Sequence, residues 1–179
     1  VLFRSTRDPE TEFGPHPDNL TQKTFDIAVD TIQKILRQVK PVRTKFSLEM
    51  MQWSFPDSVD SYLDLIKAVD DPALGVHLDP VNIIITPRQY FDTTSLLKDC
   101  FKRLGKWIVS CHAKDILLRN QLALHYDETL PGTGNLDYQT FLSELAKLPN
   151  DIPLMLEHLS SQEEYDTARC YINSIQASL

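Results

Sequence analysis

Four short apolar segments alternate with amphipathic helical ones, and this alternation constrains the fold of the chain more than any other feature. "TKFSLE" (44–49) precedes a helical pattern near 58–69, with Val59, Tyr62, Ile66 and Val69 on one face. "ALGVHLD" (73–79) precedes a loop and a helix near 94–104, with Gly105 expected as its C′ residue. "WIVSCH" (107–112) precedes a long loop containing "LPGTG" and a helix near 137–148 capped by Asp137. "PLMLE" (153–157) precedes a last helix near 161–177, where Ser160 and Glu163 have capping-box spacing. An amphipathic helix over 20–40, capped by Asn19 or Thr21 and followed by Pro41, comes before all of these. Strand and helix in this order predict βαβ units and a parallel sheet, hence an α/β fold class.

The strand ends carry the chemistry. They finish in Glu49, Asp79, His112 and Glu157, preceded by apolar Leu48, Leu78, Cys111 and Leu156. Side chains alternate across a strand. The apolar positions therefore share the helix-packed face, and the four polar ends share the other with Ser47, His77, Ser110 and Met155. The C-terminal edge of a parallel sheet is where such folds place their sites. Three carboxylates meeting there without a cation would repel and protonate. One divalent metal resolves the conflict, and a mixed oxygen and nitrogen set suits Mn²⁺, Mg²⁺, Co²⁺ or Zn²⁺.

The 179 residues, 42% hydrophobic and 24% charged, read as one globular domain over 1–179. The net charge of -7 argues against nucleic-acid and anionic-membrane partners, which need basic patches. Three dispersed cysteines without a CxxC fit a reducing, cytoplasmic setting rather than a disulfide framework. No apolar run approaches the roughly 18 residues of a membrane span. Residues 7–18 read as loop. The opening "VLFRS" lacks Met, and residues 1–5 read as partly artefactual, with native sequence truncated upstream.

Glu49 in "SLEMM", Asp79 in "HLDPVN", His112 in "CHAKD", the "PGTG" loop and Glu157 in "MLEH" resemble the xylose isomerase-like barrel superfamily. Within it the resemblance is to the sugar phosphate isomerase/epimerase family. It runs over nearly the whole chain and implies a partial (β/α)₈ TIM barrel, roughly the last four to five βα units. A full barrel takes eight strands and about 250 residues. Four strands are clear here, with the end of an earlier one expected before Thr6; the resemblance implies that the first three or so strands lie outside the chain, and the fragment alone is expected to be inactive.

The resemblance further implies an enzyme: a divalent-metal-dependent sugar or sugar-phosphate isomerase or epimerase, working by proton transfer through a cis-enediolate. Glu49, Asp79, His112 and Glu157 would hold the metal, with Glu49 and Glu157 as the acid/base pair. The partner would be a small sugar or polyol, and a homo-oligomer is an open outcome. Asn82 sits where many relatives carry a substrate-binding His; an amide binds a hydroxyl without titrating. Lys114, facing the same side as His112, is a candidate for a substrate oxygen or phosphate, with a surface lysine as the other reading. His77 reads as a hydrogen-bonded interior histidine or a substrate contact. Trp53 and Phe55 would wall the pocket or simply pack. His125 is a further candidate substrate contact, and His125 and Asp127 have the spacing, in reverse order, of extra ligands in the endonuclease IV branch. The alternatives are thus an inosose-type dehydratase, an abasic-site nuclease, and a carbohydrate-binding barrel without turnover.

Overall fold

The structure is a computed structural model that describes residues 14–179. The expectations for residues 1–5 and for a strand end before Thr6 lie outside the described residues. The first described element, α1 (Gln22–Val39), buries Thr24, Ala28, Ile32 and Leu36, one residue per turn along a single stripe. Thr21 is its cap, accepting from the Thr24 N–H at 3.3 Å; Asn19 instead donates to the Gly14 carbonyl. Strand β1 (Phe46–Glu49) leads to α2 (Val59–Val69). Ser58 and Ser61 close a reciprocal capping box at the start of α2.

Strand β2 (Leu74–Leu78) is buried at every position. The stretch after it, expected as loop, folds into a 3₁₀ turn (Val81–Ile83) and a one-turn helix α3 (Pro87–Phe91) before α4 (Thr93–Leu104). Gly105 is not a left-handed C′ residue. Its φ is -47°, and it starts a 3₁₀ turn that carries the chain straight into β3 (Ile108–Ala113).

The expected long loop after His112 is instead organised. Asp115–Leu118 (β4) and Tyr126–Thr129 (β5) pair antiparallel as a separate two-stranded ribbon. Helix α5 (Tyr138–Leu145) follows, capped by Asp137 as expected but ending three residues early. Strand β6 (Leu154–Leu156) and α6 (Gln162–Gln176) complete the chain. The α6 cap is one residue later than the spacing suggests. Ser161 accepts from the Glu164 N–H, and Glu164 accepts from the Ser160 N–H at 2.6 Å.

The main sheet runs β1–β2–β3–β6, parallel throughout. Register aligns Glu49 with His77, Leu78 with Cys111, and Ala113 with Leu156. Leu48, Val76, Leu78 and Cys111 face the helices, packing in one core with Ile32, Leu65, Leu97, Leu104 and Phe141. This leaves the opposite face and the C-terminal edge for polar side chains, as alternation requires. The architecture is a partial (β/α) barrel, its four parallel strands each joined through a helix. Among the described residues no helix is long and apolar enough to cross a membrane.

Candidate metal centre

Each strand of the main sheet delivers one side chain to a common point. Glu49 ends β1, Asp79 follows β2, His112 lies near the end of β3, and Glu157 follows β6. One ligand atom from each of the four lies within 4.8 Å of the others. Glu49 and Glu157 come from opposite edges of the sheet. Three strand spacings on a flat sheet would separate those edges by roughly 14 Å. Sheet curvature and side-chain reach close that gap.

His112 Nδ1 is the hub. It lies 3.1 Å from Glu49 Oε1, 3.2 Å from Asp79 Oδ2 and 2.9 Å from Glu157 Oε1. One N–H can donate well to one of these oxygens, not to three. Asp79 is fully buried and divides its two oxygens. Oδ1 accepts from the Val81 and Asn82 N–H groups of the 3₁₀ turn at 3.1 and 3.3 Å, and Oδ2 faces the cluster. Burial opposes its charge. The His112 hydrogen bond and the Lys114 ammonium outweigh that cost and hold the carboxyl at about 2. Burial likewise opposes a charged His112, but its bonds to Asp79 and Glu49 raise it to about 9. The site is built around positive charge.

The donor set fits a divalent ion. Three carboxylate oxygens and one imidazole nitrogen match the preferences of Mn²⁺, Mg²⁺, Co²⁺ and Zn²⁺. Glu157 Oε1 is buried and faces two positive groups, His112 Nδ1 at 2.9 Å and the Lys114 ammonium.

The other expected site residues divide. Asn82 joins the cluster, donating from Nδ2 to Glu49 Oε1 at 2.9 Å. Lys114 is no surface lysine. Its side chain is 2% exposed, and Nζ lies 2.9 Å from Asp79 Oδ2, 3.6 Å from Glu49 Oε1 and against Glu157 Oε1. His77 lies one layer down, with Nδ1 2.6 Å from Ser110 Oγ and its ring edge-on to His112 at 4.0 Å. Its Nε2 is buried without a partner, and burial followed by the nearby His112 charge lowers its pKa. Trp53 is half-buried in the loop after β1. Phe55 packs edge-on against Phe25 of α1, the packing reading of that residue.

His125 stays outside the cluster. It is exposed on the β4–β5 ribbon, 2.9 Å from Asp127 Oδ1, and Arg119 holds the other oxygen of Asp127. The ribbon keeps this pair for itself. The "PGTG" loop also has its donors committed. Asp115 Oδ2 accepts from the Gly132 and Gly134 N–H groups at 2.9 and 3.0 Å, and Oδ1 from Leu136 and Ile116 at 2.9 Å each. The loop cradles an anion of its own chain, so its glycine N–H groups are already taken.

Two residues near the site escaped the sequence reading. Glu128 on β5 places Oε2 3.7 Å from Lys114 Nζ. His158 donates from Nδ1 to Glu128 at 3.1 Å and adopts the left-handed region at φ 59°. His158 was visible beside Glu157 in "MLEH". Glu128 was not, because only the pairing of β4 with β5 brings it across.

A profile described as the xylose isomerase-like TIM barrel family matches residues 8–175. The 3-oxo-isoapionate decarboxylase of Pectobacterium atrosepticum is 25% identical over 136 residues, covering 72% of this chain and 46% of that protein. A xylose isomerase-like TIM barrel protein from Mycobacterium smegmatis, solved in complex with magnesium, superposes with a TM-score of 0.73 at 19% identity. That match covers 97% of this chain and 58% of the other. The D-psicose 3-epimerase of Clostridium cellulolyticum H10, solved with D-tagatose, gives a TM-score of 0.63 at 14% identity over 88% of this chain and 57% of its own. At these identities the solved structures speak for the fold alone. The chain spans about half the length of these relatives.

Proposed function

The chain belongs to the xylose isomerase-like TIM barrel family, and from that premise we propose that it carries the metal-holding part of a sugar or sugar-phosphate isomerase or epimerase. One observation carries the reading: Glu49 and Glu157, from opposite edges of the sheet, meet across His112 within 4.8 Å. Two carboxylates so placed can address two faces of one carbon, which an epimerase requires. Glu49, Asp79, His112 and Glu157 would hold a divalent ion. When bound, that ion supplies the positive charge that stabilises an oxyanion developing next to the reacting carbon.

The residues of the chain would do the rest. Glu157, whose Oε1 faces the cluster, would take a proton from a carbon beside a carbonyl. Glu49, held by Asn82 Nδ2, is placed to return a proton from the other side or at the neighbouring carbon. The pair of C–H bonds broken and formed leaves the sugar isomeric, through a cis-enediolate of the substrate. Asn82 and Lys114 lie where hydroxyl or carbonyl oxygens would be bound. Burial of Asp79 and Lys114 keeps this end of the pocket dry, which strengthens each of these interactions.

A decarboxylating reading has one observation in its favour, the decarboxylase relative at 25% identity. Loss of CO₂ from a 3-oxo acid leaves an enolate of the same kind, which one carboxylic acid then protonates. The two readings part on two measurements with metal-loaded protein of family length. An epimerase exchanges a substrate C–H with D₂O across a ketose panel; a decarboxylase releases CO₂ and does not wash deuterium into unreacted ketose. The first outcome is expected, and Glu157→Gln should lower exchange by about 10²–10⁴-fold, the usual worth of a positioned general base. Retained exchange in that variant would remove Glu157 from the role.

A further inference from the structure

The metal cluster has a buried lysine inside it, and proton transfer by Glu49 and Glu157 does not explain why it is there. Lys114 Nζ reaches Asp79 Oδ2, Glu157 Oε1 and Glu49 Oε1. These are the same three oxygens that converge on His112 Nδ1. The ammonium therefore occupies the ligand atoms that a divalent ion would need. Its backbone is pinned at its C-terminal end. Tyr138 Oη donates to the Lys114 carbonyl at 2.8 Å, and the next residue, Asp115, is gripped by four backbone N–H groups. The side chain must then point into the cluster or swing along it. Glu128 Oε2 offers a further carboxylate 3.7 Å away, on the solvent-facing side, and His158 holds that carboxylate in place.

We propose that Lys114 is a resident counter-cation of the metal centre, bridging the ligand carboxylates in metal-free protein and yielding them to the incoming ion by turning to Glu128. The inference rests on the divalent-metal reading of the cluster. With His112 neutral, as a metal ligand must be, three carboxylates and one ammonium leave two negative charges, which one divalent ion neutralises. Carboxylates packed this closely with no cation would repel one another, and removing one partner of a buried ion pair strands the other. Lys114 thus keeps the metal-free site folded. It also competes with the metal, because every ligand oxygen gained by the ion is one lost by the ammonium. Glu128 lowers the cost of that exchange by receiving the displaced charge.

Calorimetric titration with Mn²⁺, combined with thermal melting of the full chain with and without Mn²⁺, tests this. Lys114→Met should melt lower than wild type without metal and bind Mn²⁺ about tenfold more tightly, because the competitor is gone. Glu128→Gln should do the opposite, binding Mn²⁺ severalfold more weakly with an unchanged metal-free melting temperature. A folded Lys114→Met protein that binds Mn²⁺ no better than wild type overturns the competition, as does unaltered affinity in Glu128→Gln. If Lys114→Met folds only when metal is present, chelator competition on the loaded protein gives the same comparison. Wild type that binds no Mn²⁺ would end the metal reading itself. An unchanged metal-free melting temperature in Lys114→Met would separately end the counter-cation role.

Discussion

Single carboxylates in this chain do different work according to what their two oxygens meet. Asp79 spends one oxygen on the turn behind it and one on the cluster, so the same residue shapes the backbone and faces the site. Asp137 spends both on structure. Oδ1 accepts from the Thr140 N–H at 3.0 Å as the cap of α5, and Oδ2 accepts from Thr94 Oγ1 of α4 at 2.5 Å. Burial would raise its pKa, but these bonds outweigh burial and hold it below the ordinary carboxylate value. A depressed native pKa gives stability that is fully present above the unfolded value, about 3.9, and fades as pH falls through the native one. Asp137→Ala should therefore cost about 1 kcal/mol at neutral pH, as caps usually do. That penalty should shrink in acid. Urea unfolding of both proteins at pH 7 and in strong acid measures it, and a pH-independent difference would contradict the assignment.

The β4–β5 ribbon and the "PGTG" loop act as one element around Asp115. A Cβ added at Gly134 would sit 2.3 Å from Asp115 Oδ1 and 2.5 Å from the Ile116 carbonyl, so the backbone there must carry a glycine. Gly132 has φ +92°, a conformation that side chains resist. Gly134→Ala and Asp115→Ala should each destabilise the chain by about 2–4 kcal/mol, since either strands donors that now bond to a charged group. Hydrogen exchange should then show loss of protection in Tyr126–Thr129 before the main sheet. Equal protection in the variants would mean that the ribbon stands without its anchor. Because Lys114 adjoins Asp115, the loosened variants should also alter Mn²⁺ affinity, although neither residue is a ligand.

At the scale of the whole molecule, the described sheet has two open margins, β1 and β6. Met155 on β6 is 41% exposed, on the face that alternation assigns to a barrel interior. On the other, helix-facing side of β6 a groove of about 540 Å³ is lined by Leu145, Leu148, Ile152, Leu154 and Ile172 together with polar residues of the α6 end. Unpaired strand edges next to apolar surface invite pairing with another chain. The isolated chain should associate as its concentration rises, and Met155→Lys should raise the monomer fraction in light scattering after gel filtration. A chain that stays monomeric at high concentration would show that these margins are adequately protected.

The elements of the main sheet were legible from residue order because period-two and helical hydrophobic patterns are local properties. Leu48, Leu78 and Cys111 announced which face packs, and their polar successors announced which face does not. The strand-end positions 49, 79, 112 and 157 likewise announced a cluster of carboxylates and an imidazole, and the sheet brings the four together. Only tertiary structure decided what surrounds that point. The Asp115 cradle, the approach of Glu128 and the burial of Lys114 depend on contacts across 14 to 65 positions, and no local pattern records them. Caps shifted by a residue at α6 for a related reason. Competing donors lie side by side in sequence, and the three-dimensional path of the chain chooses among them.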